Sequence, residues 1–183
     1  MNIMRRALWS PLAILLLLFS TFSLAWGAQV KLSYTGTGWD TTVDNFDDGY
    51  PVTMSIGEAK GSRGASRVEI SSEFMPWDIE EVTCEGQELE FKLLFSASVG
   101  TFQNQSQLYG FSDVGWMCVD QGTGHYYGMV FGIYQGGAGK FVGATGEWVT
   151  DFDGFFLEPP TLPAVIGFRT ITGNVKGHFE LPE

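Results

Sequence analysis

Residues 125–152 read HYYGMVFGIYQGGAGKFVGATGEWVTDF. An apolar run alternates between bulky residues and glycines, and a glycine-dense turn (136–139) separates it from a second alternating run. Successive side chains of a β-strand point to opposite faces, so the first run gives a bulky face with Tyr127 and Phe131 and a second face notched by glycines. Glycine adopts the positive φ angles that tight turns need. The segment therefore predicts a long β-hairpin.

The rest of the chain repeats this pattern in short segments separated by turn residues. No apolar pattern recurs at three and four residues for the length of a useful helix, and the 24 glycines are scattered inside the strand-like segments. Such a sequence is typical of an antiparallel barrel or a sandwich. About eight segments can be counted, and eight strands are enough to close a small barrel. We therefore predict an all-β fold with a single closed antiparallel barrel.

The first residues resemble a targeting segment. Arg5 and Arg6 precede a leucine-rich apolar stretch, and small residues follow it, as in a secretory signal peptide. An uncleaved membrane anchor is the alternative. We predict a signal peptide at 1–27, a barrel domain at 28–183, and a secreted or periplasmic protein.

The charge balance excludes some partners. Loss of the two arginines with the signal peptide leaves 8 basic against 21 acidic residues, a net charge of −13. Phosphate-rich surfaces repel such a chain, so nucleic acid and anionic lipid are poor candidates. No apolar run after the signal is long enough to span a bilayer as a helix.

Two cysteines, Cys84 and Cys118, remain in the mature chain. An exported protein enters an oxidising compartment, where such a pair normally joins. We predict a disulfide between them, with two separate buried thiols as the alternative.

Several segments together resemble a known family. GGAGKFVGATGEW (136–148) resembles the GGTGRFxGATG hairpin of exported bacterial proteins that carry an allene oxide cyclase barrel-like domain, a relative of the plant dirigent barrel. This chain departs from that motif at Ala138 and Lys140. Weaker likenesses follow in TVDNFDDGYP (42–51), LYGFSDVGWMCVDQGTG (108–124) and ITGNVKGHFEL (171–181).

The resemblance spans most of the mature chain and implies an eight-stranded barrel, a cysteine pair and export. It does not imply cyclase activity. The plant cyclases act on an unstable fatty-acid epoxide inside the barrel with a carboxylate and bound water, but their catalytic positions do not align to this chain. The exported bacterial relatives have no settled activity, so the catalytic residues stay unknown.

Local motifs add little chemistry. Gly139-Lys140 lacks the first glycine and the Ser or Thr of a phosphate-binding loop, and no Gly-x-Ser-x-Gly elbow is present. Asp44, Asp47 and Asp48 could wrap Ca²⁺ with carboxylate and backbone oxygens, or they could form a solvated turn whose side chains bond locally. No other cofactor is predicted.

These observations leave three functional hypotheses. The first is a non-enzymatic barrel that binds a small apolar molecule or a protein partner; its predicted cavity-lining residues are Trp116, Tyr127, Phe131 and Trp148, which could equally just fill the core. The second is an isomerase or cyclase acting on a fatty-acid-derived substrate. The third is a small outer-membrane barrel. Three features oppose it: the C-terminal residues 180–183 are Glu-Leu-Pro-Glu rather than the end of a strand with a final aromatic residue, several strands carry charges, and long loops are lacking.

Overall fold

The structure is a computed structural model of the chain, and it describes residues 27–47, 49–77, 84, 89–157 and 167–182. All of the predicted signal peptide except Gly27 lies outside the described residues. None of the helices in the described part of the chain combines the length and apolar character needed to cross a membrane.

Eight antiparallel strands close into one barrel, which confirms the predicted all-β fold. Each strand pairs with its neighbours in sequence, and the first strand pairs with the last from Ala28 opposite Phe179 to Trp39 opposite Phe168. The strands are β1 Ala28–Asp40, β2 Thr53–Gly61, β3 Gly64–Pro76, β4 Leu89–Phe102, β5 Gln107–Val119, β6 His125–Ala138, β7 Thr145–Phe156 and β8 Phe168–Glu180.

The long hairpin predicted from residues 125–152 is β6 and β7. Its turn contains a short 3-10 helix (Gly139–Phe141), and Gly136 and Gly139 take φ angles of 89° and 62° there. This turn folds Phe141 into one end of the barrel, with its ring 4.9 Å from that of Phe102 and 5.3 Å from that of Phe179. We call this the Phe141 end; the rings pack it closed.

The glycine-notched face of β6, rather than the bulky one, is the inside of the barrel. Tyr126 and Val130 are buried in the core, whereas Phe131 is 46% exposed. A narrow barrel holds large rings only where the neighbouring strand has no side chain. A Cβ added to Gly128 would lie 2.5 Å from Cζ of Phe152, the residue opposite it on β7. The interior glycines thus make room for the interior aromatic rings.

A bulge in β5 reverses its alternation. The register with β6 shifts between Phe111 and Val114, and the Ser112 hydroxyl accepts a hydrogen bond from the Val114 N–H (3.1 Å). One extra residue in a strand moves every later side chain to the other face. Met117 therefore lines the interior, and Trp116 points outward.

The predicted disulfide between Cys84 and Cys118 is present, with 5.7 Å between the Cα atoms. Cys118 lies between Met117 and Val119, which both belong to the core, so its own side chain is on the outer face. It is nevertheless only 1% exposed. The disulfide thus fastens the chain that precedes β4 to the outside of β5.

Candidate functional site

The centre of the barrel contains a cavity of about 120 Å³. It lies between the closed Phe141 end and the opposite end, which we call the Arg169 end after the buried arginine there. Two different walls enclose it. Strands β1, β6 and β7 supply most of its aromatic residues, which we call the aromatic wall, and strands β2 to β4 supply six hydroxyl residues, which we call the hydroxyl wall, together with Phe74 and Phe102. The aromatic wall contains Tyr34, Tyr126, Tyr134, Trp148 and Phe152, and the hydroxyl wall contains Thr53, Ser55, Ser66, Ser72, Ser96 and Ser98.

The register of strands β2 to β4 brings the residues of the hydroxyl wall next to one another. Thr53, Ser72 and Ser96 lie opposite one another on three neighbouring strands. Their small side chains leave open the space that rings fill on the other side of the barrel. None of the side-chain hydrogen bonds within the described residues involves Ser72 or Ser96. Their hydroxyls are therefore available to a molecule in the cavity.

A buried ion pair between Asp40 and Arg169 marks the Arg169 end. The two side chains are 9% and 8% exposed, on the adjacent strands β1 and β8. Thr53 donates its hydroxyl to Oδ1 of Asp40 at 2.8 Å, and the Gly167 N–H donates to Oδ2 at 3.4 Å. Both carboxylate oxygens are thus engaged, which holds the aspartate fixed behind the cavity wall.

Arg169 itself lines the cavity. Its guanidinium lies over the ring of Phe156 at 4.6 Å and near that of Tyr126 at 6.0 Å, as in cation–π contacts. Burial lowers the pKa of Arg169, while the charge of Asp40 acts in the opposite direction. Its Nε–H is buried and has no hydrogen-bond partner among the described residues. The arginine is therefore a buried donor with unused hydrogen-bonding capacity.

The tyrosines of the aromatic wall are neutral hydrogen-bonding groups. Burial raises the pKa of Tyr34 to about 12, partly offset by the hydrogen bond with the Thr150 hydroxyl (3.4 Å). Burial likewise raises the pKa of Tyr134 to about 12. Tyr126 donates its hydroxyl to the Thr170 carbonyl at 2.6 Å. Protonated phenols at neutral pH can donate hydrogen bonds but do not serve as strong bases.

The structure places only one of the four predicted lining residues in the cavity. Trp148 is inside, where its Nε1–H donates to the Ile133 carbonyl at 3.0 Å. The expectation that Trp116, Tyr127 and Phe131 line the interior is wrong, because these residues lie on the outer face. The bulge in β5 turns Trp116 outward. On β6 the inward side is the one on which Tyr126, Val130 and Tyr134 alternate with glycines, so Tyr127 and Phe131 point outward.

On the outside, these residues form an apolar row along β6. Phe131 and Ile133 are exposed, and Tyr127 and Met129 continue the row toward the start of the strand. Trp116 on β5 packs edge-on against Tyr127, with 6.0 Å between the ring centroids. We call this set the β6 outer row. Contiguous exposed apolar residues of this kind are common where proteins meet partners.

The predicted calcium ligands lie in the loop between β1 and β2. The Asp44 carboxylate accepts hydrogen bonds from the Phe46 N–H (3.2 Å) and the Gly49 N–H (2.8 Å), which is the local bonding of a turn. Asp47 is described, whereas Asp48 lies outside the described residues. No group of three or more His, Cys, Asp or Glu side chains in the described chain is arranged to hold a metal ion. Calcium binding here stays a prediction.

Asp40 and Arg169 were not among the residues predicted from the sequence. They are far apart in the sequence and belong to no local motif, so only the pairing of β1 with β8 brings them together. One signal was present. Counted by twos along the last strand, Arg169 falls on the same side as Ile171 and Val175. That side is otherwise apolar and rich in glycine, and a charged residue is unusual there.

Comparisons of the chain with protein-family models, with curated proteins and with solved structures find no match.

Proposed function

We propose that the protein binds a small, largely apolar molecule inside its barrel. The observation that supports this is the cavity between the aromatic and hydroxyl walls. Its volume of about 120 Å³ is of the same order as the engineered cavity of about 150 Å³ that binds benzene. A ligand with one ring, or a short branched chain, fits such a space.

Thermal unfolding with ethylbenzene as the probe tests this proposal. A molecule that binds only the folded state stabilises it by RT ln(1 + [L]/Kd), so the melting temperature rises with the logarithm of the ligand concentration once that concentration exceeds Kd. We expect ethylbenzene to raise the melting temperature of the wild-type barrel. Ser98→Leu, which fills the cavity from the hydroxyl wall, should remove that rise.

Ala97→Leu is the matched control, because Ala97 is the neighbouring, exposed residue on the same strand. It adds a similar side chain outside the barrel and should leave the rise unchanged. An equal rise in Ser98→Leu would contradict binding in the cavity, and so would the absence of a rise in the wild type with both ethylbenzene and acetophenone, a ketone of similar size.

A second candidate function is isomerase or cyclase chemistry on a fatty-acid-derived substrate. The observation that favours it is a buried carboxylate, Asp40, paired with Arg169 at the end of the cavity. Paired, buried ionisable groups beside a cavity are common in active sites. Faster conversion of an unsaturated fatty-acid epoxide than in a protein-free blank, lost in Asp40→Asn, would support it. Equal rates with and without protein would contradict it.

The β6 outer row supports the other form of the binding hypothesis, a protein partner. Its exposed rings and aliphatic side chains are the kind of surface that a partner covers. The simplest such partner is a second copy of the chain. Light scattering should then show a mass above that of one chain, and Phe131→Ser should lower it. A single-chain mass in the wild type would contradict self-association.

We further propose that the protein works in a secreted or periplasmic setting. The Cys84–Cys118 disulfide is compatible with it, since such bonds persist in oxidising compartments. Fractionation of cells that express the full chain tests this, and the mature protein found with its disulfide reduced in the cytosol would contradict it.

A further inference from the structure

The most informative polar residue of the cavity wall is Arg169, because its buried Nε–H has no hydrogen-bond partner among the described residues. Arg169 lines the cavity, its side chain is 8% exposed, and this N–H has no partner among the described residues. A buried donor without an acceptor is unfavourable, because it has lost its hydrogen bonds to water. A ligand that places an acceptor atom there restores the missing hydrogen bond.

A second donor lies beside it. The Arg169 side chain and the Ser55 hydroxyl both pack over Gly38, where a Cβ would lie 3.1 Å from Cγ of Arg169 and 2.6 Å from Oγ of Ser55. Ser55 also lines the cavity. The absence of a side chain at Gly38 thus allows the two residues to approach each other at the same place in the wall. A carbonyl oxygen has two lone pairs and can accept from two donors.

The charge balance at this end decides which acceptor fits. Arg169 is the one charged residue among the described residues that line the cavity, and Asp40 already neutralises it. A carboxylate ligand would bring a second negative charge into a buried pair and leave that charge without a counterion. A neutral carbonyl satisfies the donor and adds no charge.

We propose that the ligand of the cavity is a neutral carbonyl compound, a ketone, ester or amide with a one-ring apolar body, whose oxygen accepts from Arg169. This inference rests on the proposed function, since it names the ligand class for the same cavity. The apolar body lies against the aromatic wall, and the oxygen points to the Arg169 end.

Three probes of similar size test it: ethylbenzene without an acceptor, acetophenone with a neutral one, and benzoate with an anionic one. The infrared carbonyl stretch of ¹³C-labelled acetophenone reports the hydrogen bond directly. We expect the bound stretch at a lower frequency than in hexane, and benzoate binding weaker than acetophenone at pH 7. A hexane-like frequency, or benzoate bound as tightly, would overturn the inference.

The double variant Asp40→Leu/Arg169→Met removes the donor and its counterion together. The ratio of the ethylbenzene Kd to the acetophenone Kd should fall about tenfold in this variant relative to wild type, the effect of one hydrogen bond to a charged group. An unchanged ratio would overturn the role of Arg169. Should the variant fail to fold, the infrared and benzoate measurements on the wild type still decide whether the ligand is a neutral carbonyl compound.

The outcomes separate the two proposals. If ethylbenzene binds but the ratio of the two Kd values is the same in the wild type and in the double variant, the cavity is a binding site and only the carbonyl inference fails. If neither ethylbenzene nor acetophenone binds, the proposed function fails and the inference fails with it.

Discussion

Gly132 and Trp148 lie opposite each other on β6 and β7, inside the barrel. A Cβ on Gly132 would contact the indole ring of Trp148 and lie 2.5 Å from the Phe111 carbonyl oxygen. The indole in turn is held by its hydrogen bond to Ile133. The absence of a side chain at Gly132 therefore leaves the space that the Trp148 ring occupies.

We expect Gly132→Ala to lower the free energy of unfolding by about 1–3 kcal/mol, the usual range for overpacking a core. Gly100→Ala is the control. Gly100 also lines the cavity, but a Cβ there would have its nearest neighbour at 3.8 Å. Urea denaturation measures both variants. Equal effects would show that the loss of glycine itself, and not the contact with Trp148, sets the stability.

At the scale of single residues, the sequence correctly predicted that side chains alternate along β6, but it wrongly predicted which of the two faces points into the barrel. Alternation along β6 was evident, but bulk alone suggested that Tyr127 and Phe131 face inward. The inside of a small barrel is limited by space, so large rings there need glycines beside them. Pairs such as Gly128 with Phe152 and Gly132 with Trp148 become visible only once the register of β6 and β7 is known.

At the scale of elements, β4 and β5 depend on a covalent link as well as on their hydrogen bonds. The disulfide between Cys84 and Cys118 closes a loop of 34 residues across this pair of strands. It lies on the outer face of β5, while Met117 and Val119 on either side of Cys118 pack in the core. Closing such a loop restricts the unfolded chain far more than the folded one.

The double variant Cys84→Ser/Cys118→Ser should lose roughly 3–4 kcal/mol of unfolding free energy, the chain-entropy value for a loop of this length. Chemical denaturation of the variant and of the oxidised wild type measures the difference. Reduction of the wild type with dithiothreitol is the control and should give the same loss. A variant as stable as the oxidised protein would show that the loop has little freedom in the unfolded state.

The elements themselves were largely predictable. The long hairpin and the eight strands follow from alternation and turn residues, and the pairing of the two cysteines was predicted from the expected oxidising compartment. The orientation of Trp116 was not predictable, because it depends on the bulge that Ser112 stabilises. Strict alternation from the interior residue Leu108 would place the Trp116 side chain inside the barrel. The one extra residue at the bulge turns it to the outside.

At the scale of the whole molecule, the barrel is closed where β1 meets β8, and the Asp40–Arg169 pair lies at one end of this junction. The candidate site forms only when the barrel closes, because its residues come from strands that are far apart in the sequence. Strands from the two ends of the described chain supply the charged residues, and β2 to β4 supply the hydroxyl wall. No local stretch of sequence contains the cavity wall, so the sequence was enough to predict the fold but not enough to predict most of the residues that line the cavity.

We expect Arg169→Met to cost about 3–5 kcal/mol of unfolding free energy, because it leaves the Asp40 carboxylate buried without its counterion. Asp40→Leu/Arg169→Met should recover most of that loss, since two apolar residues can replace a buried pair. A double-mutant cycle by chemical denaturation measures this. A double variant that is no more stable than the single one would show that the pair's hydrogen bonds to Thr53 and Gly167, and not its charge, stabilise the junction.

Closure between the first and last strands also constrains how the protein can fold. The β-hairpins can form from neighbouring stretches of chain, but β1 has hydrogen-bond partners on both sides only after β8 has reached it. Contacts this distant in sequence are slow to form because the chain between them must first be brought together. Until then both outer strands are open edges that can pair with other chains. The risk of aggregation is therefore greatest just before the ring closes and should fall sharply once β8 is in place.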